Sequence, residues 1–502
     1  MIFPAAARDP QGLALDDGTQ RRSWAELEDR VHRAAHYLRD EAGLRAGDHL
    51  ALLMGSCVEG VELLVAGIAA GLWVTPINWH LTPDEVAYVV RDSGARLLVS
   101  DTRFAETAAG VHDSVLRIGA DFERALAAAS DAPLPADGPA GGNMIYTSGT
   151  TGRPKGVKRA RAASLGAMLD GWRAYARKVG LDGSGAHLVT GPLYHAAPLM
   201  FAVYDNANGA PIVIMPRWED AAALSQIRER EIAHMHLVPT MMVRLLRLPH
   251  DLREAFRAPQ LSLVLHGAAP VSVAVKRRMI AWWGEVFVEY WGATEGGVNT
   301  LVDSADWLAH PGTVGRALPA FEVFAVDAEG RRLPSGEVGD LYCRHKRLDR
   351  AFEYHGDPEK TAGAYLEPGV FTIGDIGRVD ADGYVFLADR KSNTIISGGV
   401  NIYPAEVEHV LQEHPAVADV AVFGIPDDEW GESVKAAVEL ARGTARSPGL
   451  EAEILAFARE RLAGYKVPRS IDFEDELPRH PTGKLYTRLL RDRYWKDRGR
   501  SI

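Results

Sequence analysis

Between residues 49 and 290, short apolar runs alternate with segments of helical spacing, and this rhythm restricts the fold more than any other feature of the chain. Strand-like runs fall at 49–54, 74–77, 97–100, 188–189, 212–215, 236–238, 261–266 and 286–290. Helical spacing fills 24–38 and 59–70 and starts again near Pro83, with Ser23 placed as an N-cap for the first of these helices. A strand that runs parallel to its predecessor needs a crossover, and an intervening helix supplies one. The alternation therefore predicts parallel-rich sheets with helical cover, an α/β fold. After about residue 310 the rhythm shortens. Strands at 322–326, 339–344 and 384–387 are separated by Gly, Pro and Asp, and Asp380–Gly383 has the composition of a hairpin turn. A smaller α+β pattern follows Arg390, with helices at 405–413 and 450–462 and strands at 419–423 and 435–440. The expected architecture is a large multi-subdomain N-terminal region with parallel-rich sheets and a small β-region, residues 1–391, and a small C-terminal unit, residues 392–502.

Charge and composition narrow the function. Lys plus Arg number 56 and Asp plus Glu 67, a formal net charge of −11, which argues against non-specific nucleic-acid binding because such binders neutralise phosphates. Two cysteines, Cys57 and Cys343, make neither a disulfide framework nor a Cys-rich zinc site. The first twenty residues lack the basic start and apolar stretch of a signal peptide, and the most apolar segment, 63–74, is short of the roughly 20 residues that span a bilayer. The expectation is a cytoplasmic protein without an integral membrane segment.

The densest chemical signal is Tyr146-Thr-Ser-Gly-Thr-Thr-Gly-Arg-Pro-Lys-Gly156. Its glycines let backbone N–H groups curl around an anion, its hydroxyls donate, and Arg153 and Lys155 supply positive charge. The G-x-x-x-x-G-K-[ST] spacing of a P-loop is absent, since Lys155 follows Pro154. By composition alone a polar surface loop reads equally well.

This segment resembles the phosphate-binding loop of the adenylate-forming (AMP-binding) superfamily, in its acyl-CoA synthetase branch, and the resemblance continues in order along nearly the whole chain. It implies that Thr147, Ser148, Gly149, Thr150, Thr151, Gly152 and Lys155 hold the phosphates of ATP. The turn His266-Gly-Ala-Ala-Pro-Val-Ser272 matches the one against adenine, through Gly267, Ala268 and Ala269. In Tyr290-Trp-Gly-Ala-Thr-Glu295, Trp291 and Gly292 take the adenine positions, Thr294 approaches the phosphate and Glu295 holds Mg²⁺, a role suited to a carboxylate facing a hard cation. Core packing is the alternative for Trp291. In Phe371-Thr-Ile-Gly-Asp375 the aspartate matches the acceptor of both ribose hydroxyls, where a lone Gly-Asp is otherwise only a turn.

The run from Asp389 to Glu406 matches the junction with the mobile C-terminal lid. Arg390 takes the place of the arginine near ribose and phosphate. Ser392 stands where the family hinge is usually Asp or Lys, a departure that leaves its control of rotation open. Gly398 and Gly399 match glycines that let the thiol of coenzyme A approach, with a strand-edge turn as the alternative. Lys484, in Pro478-Arg-His-Pro-Thr-Gly-Lys484, matches the catalytic lysine of adenylation, which fits the charge that builds on non-bridging oxygens when a carboxylate attacks phosphorus. His195, in Pro192-Leu-Tyr-His195, matches a residue at the mouth of the acid pocket, and a buried structural role is its alternative. His32 and His36 lie four apart but lack the intervening Glu of a zinc protease.

The favoured expectation is thus an AMP-forming carboxylic acid–CoA ligase using ATP, Mg²⁺ and CoA. Small residues after Glu295, in Gly296-Gly-Val-Asn299, suggest space for a hydrophobic acid that is fatty, aromatic or ring-bearing, without a charged clamp. Two further readings are an acyl-AMP ligase serving a separate carrier protein and a non-catalytic nucleotide-binding regulator. The chain ends soon after Lys484, so a fused carrier domain is not expected, and no feature of the sequence decides between a monomer and a homodimer.

Overall fold

The computed structural model describes residues 1–147, 153–390, 393–398, 400–427, 429–479 and 485–496. Its secondary structure follows the rhythm of the sequence. The helix Trp24–His36 begins at Ser23, whose hydroxyl accepts from the Glu26 N–H while Glu26 returns a bond to the Ser23 N–H. That reciprocal cap satisfies two of the donors every helix start leaves open. The helix Pro83–Ser93 starts in the same way at Thr82 and ends on Gly94 in a left-handed conformation.

Two parallel-rich sheets form the large region. One runs, in spatial order, Phe352–Tyr354, Lys155–Arg159, Gly142–Thr147, Trp73–Pro76, His49–Leu53, Ala95–Ser100 and Val115–Arg117. The other has nine strands, with Leu263–His266 between Ile232–Leu237 and Phe287–Ala293. Both are parallel at the centre and antiparallel toward an edge. The apolar segment 63–74, too short to span a bilayer, divides between the end of the helix Val58–Ala69, buried along its whole length, and the start of the strand Trp73–Pro76. Its two acidic residues stay inside only because they are paired: Glu62 accepts from Arg22 at 2.7 Å and Arg30 at 2.8 Å, and Glu59 accepts from Gln20. Among the described residues no helix is long and apolar enough to cross a membrane.

An antiparallel sheet follows, in which Val370–Val379 pairs with Gly339–His345 and with Val385–Arg390 through the expected Asp380–Gly383 turn. The chain after Asn393 builds a separate five-stranded sheet around the long hairpin Val417–Asp427 and Gly431–Leu440, covered by the helices Pro404–Gln412 and Pro448–Arg459. It has its own apolar core, which includes Ile402, Val407, Leu411, Val422 and Ile454. The expected α/β class is the one observed. The expected boundary at 391/392 falls outside the described residues.

Candidate active site

The parallel strands deliver their C-terminal ends to one cleft of about 2700 Å³, where open α/β sheets commonly bind ligands. Thr147 and Pro154 line it from either side of the Gly/Ser/Thr loop. Thr147 pairs with Lys155 across the hairpin, so the two flanks of that loop are fixed by sheet register. Ser148, Gly149, Thr150, Thr151 and Gly152 lie outside the described residues. Around the flanks, the Tyr88 hydroxyl donates to the Pro154 carbonyl at 3.0 Å, and Lys155 lies 3.4 Å from the Asp357 carboxylate.

Ala268 and Ala269 line the cleft in the turn after Leu263–His266. Ala268 holds φ at +66°, a left-handed conformation that few non-glycine residues adopt. A Cβ on Gly267 would come within 2.6 Å of the Tyr290 carbonyl oxygen, so the turn needs glycine there. Trp291 and Gly292 extend the next strand beyond Tyr290, the end expected from the sequence, to Ala293. Thr294, Glu295 and Gly296 then make the tight turn into Gly297–Asp303. A Cβ on Gly292 would lie 1.9 Å from the Gly297 carbonyl oxygen, which excludes every other residue from the narrowest part of that hairpin.

Two side-chain links tie this hairpin to distant segments. The Trp291 indole N–H donates to Asp375 Oδ2 at 2.8 Å, and both residues are 5% exposed. Trp291 also packs in the core with Phe321, Val323 and Phe371, so it reaches the cleft with only part of its ring. The Tyr354 hydroxyl donates to Glu295 Oε1 at 2.9 Å. Tyr354 carries no local sequence signal. It arrives because its strand pairs with Lys155–Arg159, Tyr354 opposite Val157. Glu295 Oε2 has no hydrogen-bond partner among the described residues, so one carboxylate oxygen faces the cleft. A single carboxylate of this kind fits a hard cation that takes its remaining ligands from phosphates and water.

Asp375 stands opposite Arg390 in the antiparallel pairing, which brings their backbones together. His195 is the N-cap residue of the helix Ala196–Asn208, and its ring lies 4.4 Å from that of Tyr194, at the cleft surface. The far wall of the cleft comes from the C-terminal sheet and its helices, including Ala405, Asp419, Arg479, Leu485 and Tyr486. Tyr486 is close enough to Tyr194 to raise its phenol pKa, adding to the push of burial. Gly398 does not line the cleft. It holds φ at +56° and donates its N–H to the Trp430 carbonyl at 2.8 Å. Ser392, Gly399 and Lys484 lie outside the described residues.

Behind the adenine-side turns the core is polar. Lys276 and Glu289 meet at 2.6 Å with both side chains buried, and His266 lies 3.9 Å from Glu289. Burial pushes Glu289 up and Lys276 down, and their contact opposes both shifts. Burial likewise holds His266 well below the usual histidine range and His236 at about 3. Both stay neutral when folded, whereas the unfolded chain takes up their protons below about 6.5. Stability is therefore expected to fall as pH drops through 6.5 toward 5, by roughly 1 kcal/mol per histidine per pH unit. Urea midpoints measured across that window check it, and a flat profile between pH 7 and 5 would contradict it.

The pattern of the AMP-binding enzyme family matches residues 2–350, and that of the AMP-binding enzyme C-terminal domain matches residues 406–484. A feruloyl-CoA synthase from Amycolatopsis sp is 36% identical, covering 97% of both chains. A fatty acid–[acyl-carrier-protein] ligase, ScoC, from Streptomyces coeruleorubidus is 34% identical, covering 96% of this chain and 93% of its own. The crystal structure of ATP-bound MatB from Rhodopseudomonas palustris superimposes with a TM-score of 0.85 over 99% of both chains at 29% identity.

Proposed function

The chain belongs to the AMP-binding enzyme family, as an adenylate-forming ligase of the acid–thiol type, and from that premise we propose that it joins a hydrophobic carboxylic acid to coenzyme A through an acyl-adenylate. The observation that supports this reading is the single cleft shared by Thr147, Ala268, Thr294, Glu295, Asp375 and, from the C-terminal unit, Leu485 and Tyr486. Five separated stretches of sequence converge there, as a nucleotide, an acid and a catalytic cation require.

In the first step the acid carboxylate attacks the α-phosphorus of ATP and pyrophosphate leaves. Residues 147–152 and Lys155 hold the phosphates, Gly267–Ala269, Trp291 and Gly292 border the adenine, and Asp375 with Arg390 holds the ribose. Glu295 would hold Mg²⁺, which when bound neutralises phosphate charge. Thr294 donates toward the phosphate, His195 borders the acid, and Lys484 balances the charge of the in-line transition state. In the second step the C-terminal unit turns so that Gly398, which does not line the cleft in the present arrangement, comes to face it with Gly399; the CoA thiol then attacks the acyl carbon and AMP leaves. Residues 1–391 carry the nucleotide and acid sites, and 392–502 act as the lid. Closure protects the reactive anhydride from water.

A panel of fatty, aromatic, ring-bearing and short polar acids, read by pyrophosphate release with and without CoA, tests the reading. Acid-dependent release, with free AMP over many turnovers once CoA is added, is expected. Highest kcat/KM on short polar acids would overturn the hydrophobic assignment. The relative named as a carrier-protein ligase favours a second reading in the same experiment. An acyl-adenylate that stalls with CoA and clears with a phosphopantetheinylated carrier protein would decide for it.

A further inference from the structure

The strand Lys155–Arg159 alternates its side chains between two faces, so the neighbours Lys158 and Arg159 point opposite ways. Lys158 turns away from the cleft and lies over the Trp73 ring at 5.0 Å. Arg159 turns into the cleft. Its guanidinium lies so close over Gly297 that a Cβ there would come within 2.9 Å of one of its nitrogens, and Gly297 also holds φ at +72°. Glycine at this position therefore makes the space the guanidinium occupies. Four residue steps along the strand, about 13 Å, carry Arg159 from Lys155 well away from the phosphate loop. It lies instead beside the hairpin arm that follows Glu295, where the acid is expected.

Arg159 makes no ion pair and no hydrogen bond among the described residues. Two phenols share its surroundings. Tyr175 and Tyr204 both line the cleft, with ring centroids 5.3 Å apart edge to face. Burial pushes both phenols up, and the Arg159 charge pulls both back. The Tyr175 oxygen accepts from the Val298 N–H at 3.4 Å and keeps its own proton to give. The Tyr204 hydroxyl has no partner among the described residues. Arg159, which covers Gly297, and Tyr175, bonded at the adjacent Val298, thus meet on the hairpin arm after Glu295, with Tyr204 packed edge to face on Tyr175. Phe201 and Tyr290, in edge-to-face contact at 5.3 Å, also line the cleft and give it an apolar wall.

We propose that Arg159, Tyr175 and Tyr204 form the far end of the acid pocket and bind a second carboxylate on the substrate, so that the acid has an apolar body with a carboxylate at each end. The proposal rests on the ligase reading above and narrows its substrate class: the acid keeps an apolar body, but Arg159 in the cleft replaces the expected pocket without a charged clamp. Arginine suits the role, since its planar fork pairs with a carboxylate through two parallel hydrogen bonds.

The test compares matched acids that differ only at the far end: 3-phenylpropanoate, 3-(4-acetylphenyl)propanoate and 3-(4-carboxyphenyl)propanoate, with wild type, Arg159→Leu and Arg159→Lys. In the wild type the dicarboxylate is expected to exceed 3-phenylpropanoate at least tenfold in kcat/KM for pyrophosphate release. Arg159→Leu is expected to abolish or reverse that ratio, Arg159→Lys to retain part of it, and the KM for ATP to stay within twofold. A ratio unchanged by Arg159→Leu would overturn the proposal, and a preference for the acetyl compound over the dicarboxylate would overturn the anionic assignment. Absence of pyrophosphate release with every acid would count against the ligase reading instead. Calorimetric binding of 1,4-benzenedicarboxylate to wild type but not to Arg159→Leu would still uphold the second-carboxylate site, and equal binding to both would overturn it.

Discussion

Lys276→Met is expected to destabilise the protein by about 3–5 kcal/mol, because it leaves the Glu289 carboxylate buried without its partner. The Lys276 ammonium makes two contacts that Met cannot replace, the 2.6 Å bond to Glu289 and a 4.5 Å approach to the Trp307 ring. The loss should come mainly from the stranded carboxylate, since burial already pushes Glu289 toward its neutral form. The double variant Lys276→Met/Glu289→Leu is therefore expected to recover most of the loss. Urea unfolding of the three proteins at one pH decides the matter. A single variant as stable as wild type, or a double variant less stable than the single one, would refute this account. Glu289 lies two residues before Trp291 and pairs in register with His266, which precedes Gly267. The pair thus holds together the two strand ends that carry the adenine-side turns.

Lys484→Ala is expected to lower acid-dependent pyrophosphate release by about 10²–10³-fold, the usual loss when one donor to a developing charge is removed. Conversion of supplied acyl-adenylate to acyl-CoA should survive far better, because that step develops no comparable charge at the α-phosphate. Rapid-quench measurement of the two half-reactions separates them. Equal loss in both would remove Lys484 from the role assigned to it. The position rests on the match of Pro478–Lys484 and on the two residues after it, Leu485 and Tyr486, which line the cleft.

Much of the molecule is written locally in the chain. Strand–helix alternation predicts the two parallel-rich sheets, and the change of rhythm after 390 predicts the small α+β unit, because periodicity reports which face of each element is buried. Capping at Ser23 and Thr82 and the Asp380–Gly383 turn depend on neighbours within a few residues, so the sequence carries them as well. The ordered motifs carried the family and the list of candidate site residues.

What the tertiary structure decided are pairings between segments far apart in sequence. Trp291 and Asp375 lie 84 residues apart, and their hydrogen bond ties the strand Phe287–Ala293 to the antiparallel sheet. Tyr354 meets Glu295 only through the register of its strand against Lys155–Arg159. The same register turns Arg159 into the cleft and Lys158 out of it, so two cations adjacent in sequence serve opposite faces of the sheet. Strand register is fixed by which apolar faces meet in three dimensions, and a shift of one residue would exchange those two side chains. No local stretch of sequence contains that choice.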